Sequence, residues 1–99
     1  MINRVIISGI LEDNELELIK TPKGNLVEAM ILTHNSSKTE VKRVKIVMYG
    51  KLAYHYFAHQ HTYKENLCMY FGEVSYNEER NETRIKINEP IQILASVGE

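Results

Sequence analysis

Val41 to Tyr49 reads VKRVKIVMY, and this stretch decides the fold because its side chains fall into two alternating sets. Successive side chains of a β-strand point to opposite faces of a sheet. One set is apolar from Val44 onward, so we expect it to face the interior. The other set contains two cations and an aromatic ring, which we expect to be exposed to solvent. The inward set is Lys42, Val44, Ile46 and Met48, and the outward set is Val41, Arg43, Lys45, Val47 and Tyr49.

The segments on either side of this strand predict four more strands and one helix. Gly50 ends the strand, and the spacing of apolar residues after it predicts a helix between the third and fourth strands. Pro22 and Gly24 predict a tight turn that joins two strands into a hairpin. The predicted strands are Asn3–Leu11 running on through Glu15–Lys20, Leu26–His34, Val41–Tyr49, Leu67–Tyr76, and Thr83–Asn88 with Ile91–Ala95 as two halves around Pro90; the helix is Lys51–His61.

Two glycines favour a closed sheet. Gly9 and Gly72 each interrupt an apolar strand, and a glycine within a strand is typical of a bulge or a sharp bend. Small barrels bend their strands sharply, whereas an open α+β sheet, the alternative, has no special need for these residues. We therefore predict an all-β, five-stranded Greek-key barrel of the OB (oligonucleotide/oligosaccharide-binding) type, with residues 1–99 forming a single domain.

Composition restricts the class of protein. The chain has 99 residues, no apolar run of the ~20 residues that cross a bilayer, and no secretory signal pattern, so we expect no membrane association. The single cysteine, Cys68, favours a reducing compartment and hence the cytoplasm. The net charge is −1, yet the segment from Lys38 to Lys51 carries five basic residues and one acidic residue. Any nucleic-acid binding must therefore depend on charges that are segregated in space.

Five segments in collinear order resemble the bacterial single-stranded DNA-binding proteins and the related primosomal replication protein PriB. They are Ile2–Leu11, Thr21–Gly24, Arg43–Ala53, Phe71–Ser75 and Ile91–Leu94. Single-stranded DNA-binding proteins normally continue past the barrel into an acidic tail. This sequence stops about where the barrel stops, as in PriB, although short phage and plasmid proteins of the family leave the choice open.

The resemblance implies a non-enzymatic protein of replication restart that binds single-stranded DNA without a cofactor. It implies a homodimer paired mainly through the first strand, with a tetramer as another possibility, and a primosomal helicase or other replication protein as partner. Two alternatives remain: a tail-less phage or plasmid single-stranded DNA-binding protein, or an OB-fold protein-interaction module whose DNA face has decayed.

Single-strand binding needs aromatic faces for bases and cations for phosphates. Tyr49 is the first stacking candidate, both by alternation and because the resemblance places it where the family has a DNA-contacting aromatic residue. It could equally pack beneath the helix. Tyr76 and Phe71 are the other two stacking candidates. The alternative for Tyr76 is packing at the base of a hairpin, and the alternative for Phe71 is a dimer contact. The candidate phosphate-binding residues are Lys42, Arg43, Lys45, Lys51, Arg80, Arg84 and Lys86, followed by Lys38 and Lys23.

The sequence departs from the family in having no tryptophan. Positions where the resemblance places the family's stacking tryptophans hold Lys38 and Arg43, so we expect binding dominated by cations and steeply dependent on salt. His55 and His59 have the spacing of a metal-binding pair, but with no cysteine or aspartate nearby we predict no metal site. No catalytic constellation is evident, and Cys68 is interpreted as core filling.

Overall fold

The computed structural model describes residues 2–34 and 40–97. Seven strands and two short helices make up this part of the chain. In chain order they are β1 (Val5–Leu11), β2 (Ile19–Thr21), β3 (Gly24–His34), β4 (Val41–Tyr49), α1 (Gly50–Ala58), α2 (Gln60–Lys64), β5 (Asn66–Asn77), β6 (Glu82–Ile87) and β7 (Gln92–Ser96).

Five of the strands close a ring by hydrogen bonding. β1 pairs with both β3 and β5, β3 pairs with β4, β4 pairs with β6, and β6 pairs with β5. The β4–β6 pairing is parallel and the others are antiparallel. β2 forms a hairpin with β3, and β7 adds to β5 outside the ring. The all-β prediction holds, but the molecule has two strands more than a simple five-stranded barrel.

The predicted last strand is wrong, because its two halves lie on different parts of β5. β6 pairs with the stretch from Gly72 to Asn77, whereas β7 pairs with the stretch from Asn66 to Met69. Pro90 stands in the connection, where a missing N–H is tolerated because the chain is leaving one pairing for another.

Two further boundaries differ from the prediction. Of the strand predicted over Glu15–Lys20, only the last two residues enter β2. Leu16 instead turns into the core, where its backbone N–H donates to Oε1 of Gln60 at 3.1 Å. The single predicted helix is two, because His59 leaves helical geometry at φ −112° and ψ 25°.

The core is the interior of the barrel, closed at one end by the helices. Ile46 and Met48 are fully buried and Val44 packs against the same cluster, which confirms the inward set of β4. Val47 belongs to the outward set yet is also fully buried, contrary to prediction. It lies between Glu28 of β3 and Lys86 of β6. Long charged side chains such as these cover apolar surface with their aliphatic parts.

A hydrogen bond between two buried tyrosines links the helices to the barrel. The hydroxyl groups of Tyr56 in α1 and Tyr70 in β5 are 2.7 Å apart, and both side chains are fully buried. Burial, with smaller effects from neighbouring groups, raises the pKa of both hydroxyls well above the ordinary tyrosine value. Each hydroxyl therefore stays protonated, and one of the two donates to the other.

Asn3 extends the pairing of β5 beyond the end of β1. Its side-chain amide donates from Nδ2 to the Val74 carbonyl at 3.0 Å and accepts from the Val74 N–H at 3.0 Å. β1 itself pairs with β5 only as far as Val5 and Gly72. A side chain thus completes two backbone hydrogen bonds that a longer strand would otherwise make.

We expect Gly72→Ala to destabilise the fold by at least about 3 kcal/mol, because overpacking against backbone cannot be relieved by a side-chain rotation. A Cβ at this position would lie 2.2 Å from the Lys86 carbonyl oxygen. Urea unfolding followed by circular dichroism measures the loss. Gly24→Ala is the control: its φ of 111° is strained for alanine, but nothing lies within 4 Å of the added carbon. A smaller loss of unfolding free energy for Gly72→Ala than for Gly24→Ala would contradict the close packing of Gly72 against the backbone of β6.

Tyr56→Phe and Tyr70→Phe should each lower the free energy of unfolding by about 1–3 kcal/mol, since each leaves a buried hydroxyl without its partner. The double variant removes both hydroxyls, so its loss should be less than the sum of the single losses. A denaturant double-mutant cycle measures this difference. Strict additivity would show that the two hydroxyls are not coupled.

Candidate nucleic-acid interface

The outward side of β3, β4 and β6 around Val47, here called the outer face, carries most of the predicted site residues. The register aligns Glu28, Val47 and Lys86 across the three strands. Strand alternation then places Lys45 and Tyr49 on the same side of β4, on either side of Val47. Two distinct groups of side chains follow from this arrangement, one around Tyr49 and one around Glu28.

A cavity of about 340 Å³, here called the Tyr49 cavity, opens at one end of the outer face. It is lined by Tyr49, Lys23 of the β2–β3 turn, Ser75 of β5 and Lys86. Tyr49 is half-buried and is the last residue of β4, with φ −128° and ψ 160° where α1 begins. Its ring is therefore held between a strand and a helix and faces the cavity rather than the core.

Positive charge surrounds the Tyr49 ring. Lys86 Nζ lies 5.4 Å from the ring centroid, within the range of a cation–π interaction. Arg84 Nη2 lies 3.5 Å from the Tyr49 hydroxyl, to which it donates. Among the residues that the structure describes, no carboxylate forms an ion pair with Lys23 or Lys86. The two amines are therefore available to an external anion.

The centre of the outer face holds a network of charges, here called the Glu28 cluster: Glu28, Lys45, Arg80, Glu82 and Arg84. The Glu28 carboxylate lies 3.2 Å from Arg80 Nη1, 3.5 Å from Lys45 Nζ and 3.7 Å from Arg84 Nη1. Glu82 accepts from Lys45 Nζ at 2.9 Å, and this hydrogen bond lowers the pKa of the Glu82 carboxyl below its usual value. Three predicted phosphate ligands are thus already paired within the protein.

Two other predicted cations are also paired. Arg43 donates to both oxygens of Glu12 at 2.6 and 2.9 Å. These hydrogen bonds lower the pKa of the Glu12 carboxyl and raise that of the guanidinium. Lys42 Nζ lies 3.0 Å from Glu40, and strand alternation puts Lys42 on the opposite side of β4 from Arg43 and Lys45.

The remaining predicted site residues do not gather on the outer face. Lys51 lines a separate cavity of about 430 Å³ beside α1. Tyr76 is 52% exposed and bonds through its hydroxyl to Asn81, on the opposite side of β5 from Ser75. Phe71 lies across from Ile6 of β1. Lys38 is outside the described residues.

The sequence interpretation missed the acidic residues of the outer face and the hydroxyl of Ser75. Glu12, Glu15, Glu28 and Glu82 line a cavity of about 510 Å³ together with Arg43 and Lys45. Alternation within β3 could have put Glu28 outward, but only the β3–β4 register shows that it lies opposite Val47. No sequence signal pairs Glu82 with Lys45. By sequence alone, Glu82 belongs to the polar turn before the strand predicted over Thr83–Asn88, and its contact with β4 follows only from the tertiary structure.

The histidines and the cysteine have local roles in the structure. His59 Nδ1 is 3.0 Å from the His55 carbonyl oxygen, and the two rings lie with centroids 4.3 Å apart, tilted by 31°. Residues 2–34 and 40–97 contain no group of three or more histidine, cysteine, aspartate or glutamate side chains placed to bind a metal. Burial raises the pKa of the Cys68 thiol to about 11, which keeps it protonated and unreactive at neutral pH.

No helix within the described ranges has both the length and the apolar character needed to cross a bilayer.

Comparison with known proteins yields structural matches and no sequence matches: no family model and no curated protein sequence matches the chain. The mitochondrial single-stranded DNA-binding protein of S. cerevisiae superposes with a TM-score of 0.73 at 11% identity, covering 95% of each chain. The single-stranded DNA-binding protein of Thermus aquaticus gives 0.74 at 18% identity, covering 99% of this chain and 43% of that one. The chain has the OB fold of these proteins.

Proposed function

We propose that the protein binds single-stranded DNA at the outer face, without enzymatic activity and as a single domain. The observation that carries this proposal is the Tyr49 cavity. It combines an accessible aromatic ring with two amines that have no carboxylate partner in the described structure. A ring for a base and cations for the flanking phosphates are the two elements of sequence-tolerant single-strand binding. The fold shared with single-stranded DNA-binding proteins supports the same assignment.

The number of basic side chains that are free of ion pairs predicts how steeply the DNA affinity falls with salt concentration. Lys23 and Lys86 are free to contact phosphates, whereas Arg43, Lys45 and Arg80 are held by Glu12, Glu28 or Glu82. Each phosphate contact on a single strand contributes a slope of about −0.7 to the dependence of log K on log salt. Few free cations therefore predict a moderate slope, in place of the steep salt dependence expected from the sequence, which counted the paired cations as phosphate ligands.

We expect Tyr49→Ala to weaken binding of a labelled oligo-dT strand by about 1–3 kcal/mol, the contribution of one stacked base. Lys86→Ala should also weaken binding and make the salt slope shallower by about 0.7. Fluorescence anisotropy at two salt concentrations measures both effects. Tyr54→Ala and Lys51→Ala are matched controls, because both side chains are exposed on α1 and lie outside the Tyr49 cavity. Absence of binding by the unaltered protein at low salt would refute the proposal.

We further propose that the protein is a homodimer that forms through β1. Among the described residues, only Ile10 and Leu11 of β1 pair with β3, so the same edge of the strand has no described partner strand from Val5 to Ser8. Ile6 on this strand is 56% exposed and lies opposite Phe71. An open edge beside exposed apolar side chains favours pairing with a second strand. Phe71 would then serve the dimer contact and not base stacking.

Ile6→Asp should dissociate the dimer, because it buries a charge against an apolar face. Sedimentation equilibrium measures the mass, and we expect a shift from dimer to monomer with the circular dichroism spectrum unchanged. Val74→Asp is the control: Val74 is also exposed, at 47%, but its side chain lies on the opposite side of β5 from Phe71. A monomeric unaltered protein, or an Ile6→Asp variant that remains dimeric, would contradict this interface.

The finer role that we propose is that of a PriB-like component of replication restart, which acts in the cytoplasm with a primosomal helicase or another replication protein. The absence of tryptophan and the prior pairing of most cations support a protein that binds DNA modestly and relies on protein contacts. A stable tetramer in sedimentation would instead favour the short phage or plasmid type of single-stranded DNA-binding protein.

A second candidate function is that of an OB-fold protein-interaction module with little DNA binding. The ion pairs of Arg43, Lys45 and Arg80 favour it, because these cations are the ones that a phosphate backbone would otherwise neutralise. Under this alternative, Tyr49→Ala leaves the biological activity intact and Ile6→Asp abolishes it. Under single-stranded DNA binding, both substitutions reduce activity.

A further inference from the structure

We propose that Glu28 sets the affinity and the extent of the DNA site by occupying cations that would otherwise bind phosphates. The proposal rests on the proposed function, since it concerns single-stranded nucleic acid on the outer face. Glu28 would act as an internal competitor, because its carboxylate occupies the place beside Arg80 and Arg84 that a phosphate would take. The DNA contact is then restricted to the Tyr49 end of the face.

The position of Glu28 makes it the centre of the charge network. Its Cα pairs with that of Val47, the fully buried residue in the middle of the outer face. Cations reach it from three directions: Lys45 from β4, Arg84 from β6 and Arg80 from the β5–β6 turn. The Glu28 side chain is only 19% exposed, so these ion pairs are screened less by solvent than pairs on an open surface. No other carboxylate in the described structure contacts three cations.

Loss of the Glu28 charge would not affect the three cations equally. Lys45 keeps a closer carboxylate, Glu82, at 2.9 Å. Arg80 and Arg84 form no other ion pair in the described structure, and Glu82 acts on both only at longer range. The Arg80 side chain is also 57% exposed in the β5–β6 turn, where single-stranded DNA bound on the outer face could reach it. Removal of Glu28 therefore releases two guanidinium groups.

Arg84 has hydrogen-bonding capacity that Glu28 does not satisfy. Its Nε is buried and has no hydrogen-bond partner within the described residues. Its other contacts are long, at 3.7 Å to Glu28 and 3.5 Å to the Tyr49 hydroxyl. A guanidinium offers five N–H donors and binds phosphate in a bidentate manner. Arg84 thus lies between the Tyr49 cavity and the Glu28 cluster with unsatisfied donors, on a side chain that is 12% exposed.

The charge distribution divides the outer face into two halves. The Tyr49 cavity carries two lysines, Lys23 and Lys86, that form no ion pair with a carboxylate in the described structure. The cavity at the other end is lined by four glutamates and by two cations that are paired with them: Glu12, Glu15, Glu28, Glu82, Arg43 and Lys45. Val47 lies two residues before Tyr49 on the same side of β4, and Glu28 of β3 is paired with it. A phosphate backbone that follows β4 from Tyr49 therefore reaches the Glu28 carboxylate beside Val47. There the Glu28 carboxylate competes with the phosphate for Arg80 and Arg84.

The test is a salt titration of oligo-dT binding by Glu28→Gln, followed by fluorescence anisotropy. We expect binding about tenfold tighter at low salt and a salt slope steeper by about 1.4, the value for two additional phosphate contacts. Glu79→Gln is the matched control, because it removes one negative charge beside Arg80 from a residue with no ion pair in the described structure. Equal effects of the two substitutions, or weaker binding by Glu28→Gln, would overturn the proposal.

Arg80→Gln tests the same proposal without altering Glu28. Because Glu28 already holds Arg80, its loss should change the affinity of the otherwise unaltered protein by less than about twofold. In the Glu28→Gln background, the same substitution should remove about half of the gained slope. If Arg80→Gln alone weakens binding as much as Lys86→Gln does, Arg80 already contacts DNA and Glu28 does not compete for it. If the unaltered protein binds well and only this pattern fails, the proposed function stands and the role of Glu28 is wrong.

Discussion

The close approach of two backbones at Gly72 is the constraint on which the rest of the structure depends. Gly72 pairs with Val5 on one side and Ile87 on the other, so β5 passes from one neighbour to the next at this residue. Any side chain there would collide with the Lys86 carbonyl. The crossing sets β6 beside β4 in parallel, and that pairing brings Lys86 next to Tyr49. Barrel closure and the candidate site thus have the same geometric origin.

The sequence predicted the parts of the molecule that depend on local patterns. Alternation in VKRVKIVMY identified the buried Ile46 and Met48, and the glycine that interrupts the fourth predicted strand, Gly72, lies where the backbones of β5 and β6 approach closely. It could not predict that the two halves around Pro90 pair with different stretches of β5, because nothing in a short apolar strand specifies its neighbour. Burial of Val47 likewise depends on side chains that β3 and β6 bring beside it, and strand alternation contains no such information.

The candidate site shows the same division between local and long-range information. Sequence alone selected Tyr49, Lys45, Arg84 and Lys86, and the structure places all four on one face. It did not reveal that Glu28 and Glu82 lie among them, since ion pairs between residues 52 positions apart, such as Glu28 with Arg80, follow only from the register of distant strands. A run of basic residues in a sequence therefore overstates the charge that a surface presents.

The Asn3 amide covers a stretch of strand edge that would otherwise present unpaired backbone groups. Beyond the end of β1, the Val74 peptide would offer an unpaired donor and acceptor to any extended segment of another chain, and such edges template amyloid growth. A primary amide reproduces the donor and acceptor of a peptide unit, and here it satisfies both groups of Val74. Hydrolysis of that amide to aspartate, a slow chemical ageing reaction, would remove the donor and expose the edge.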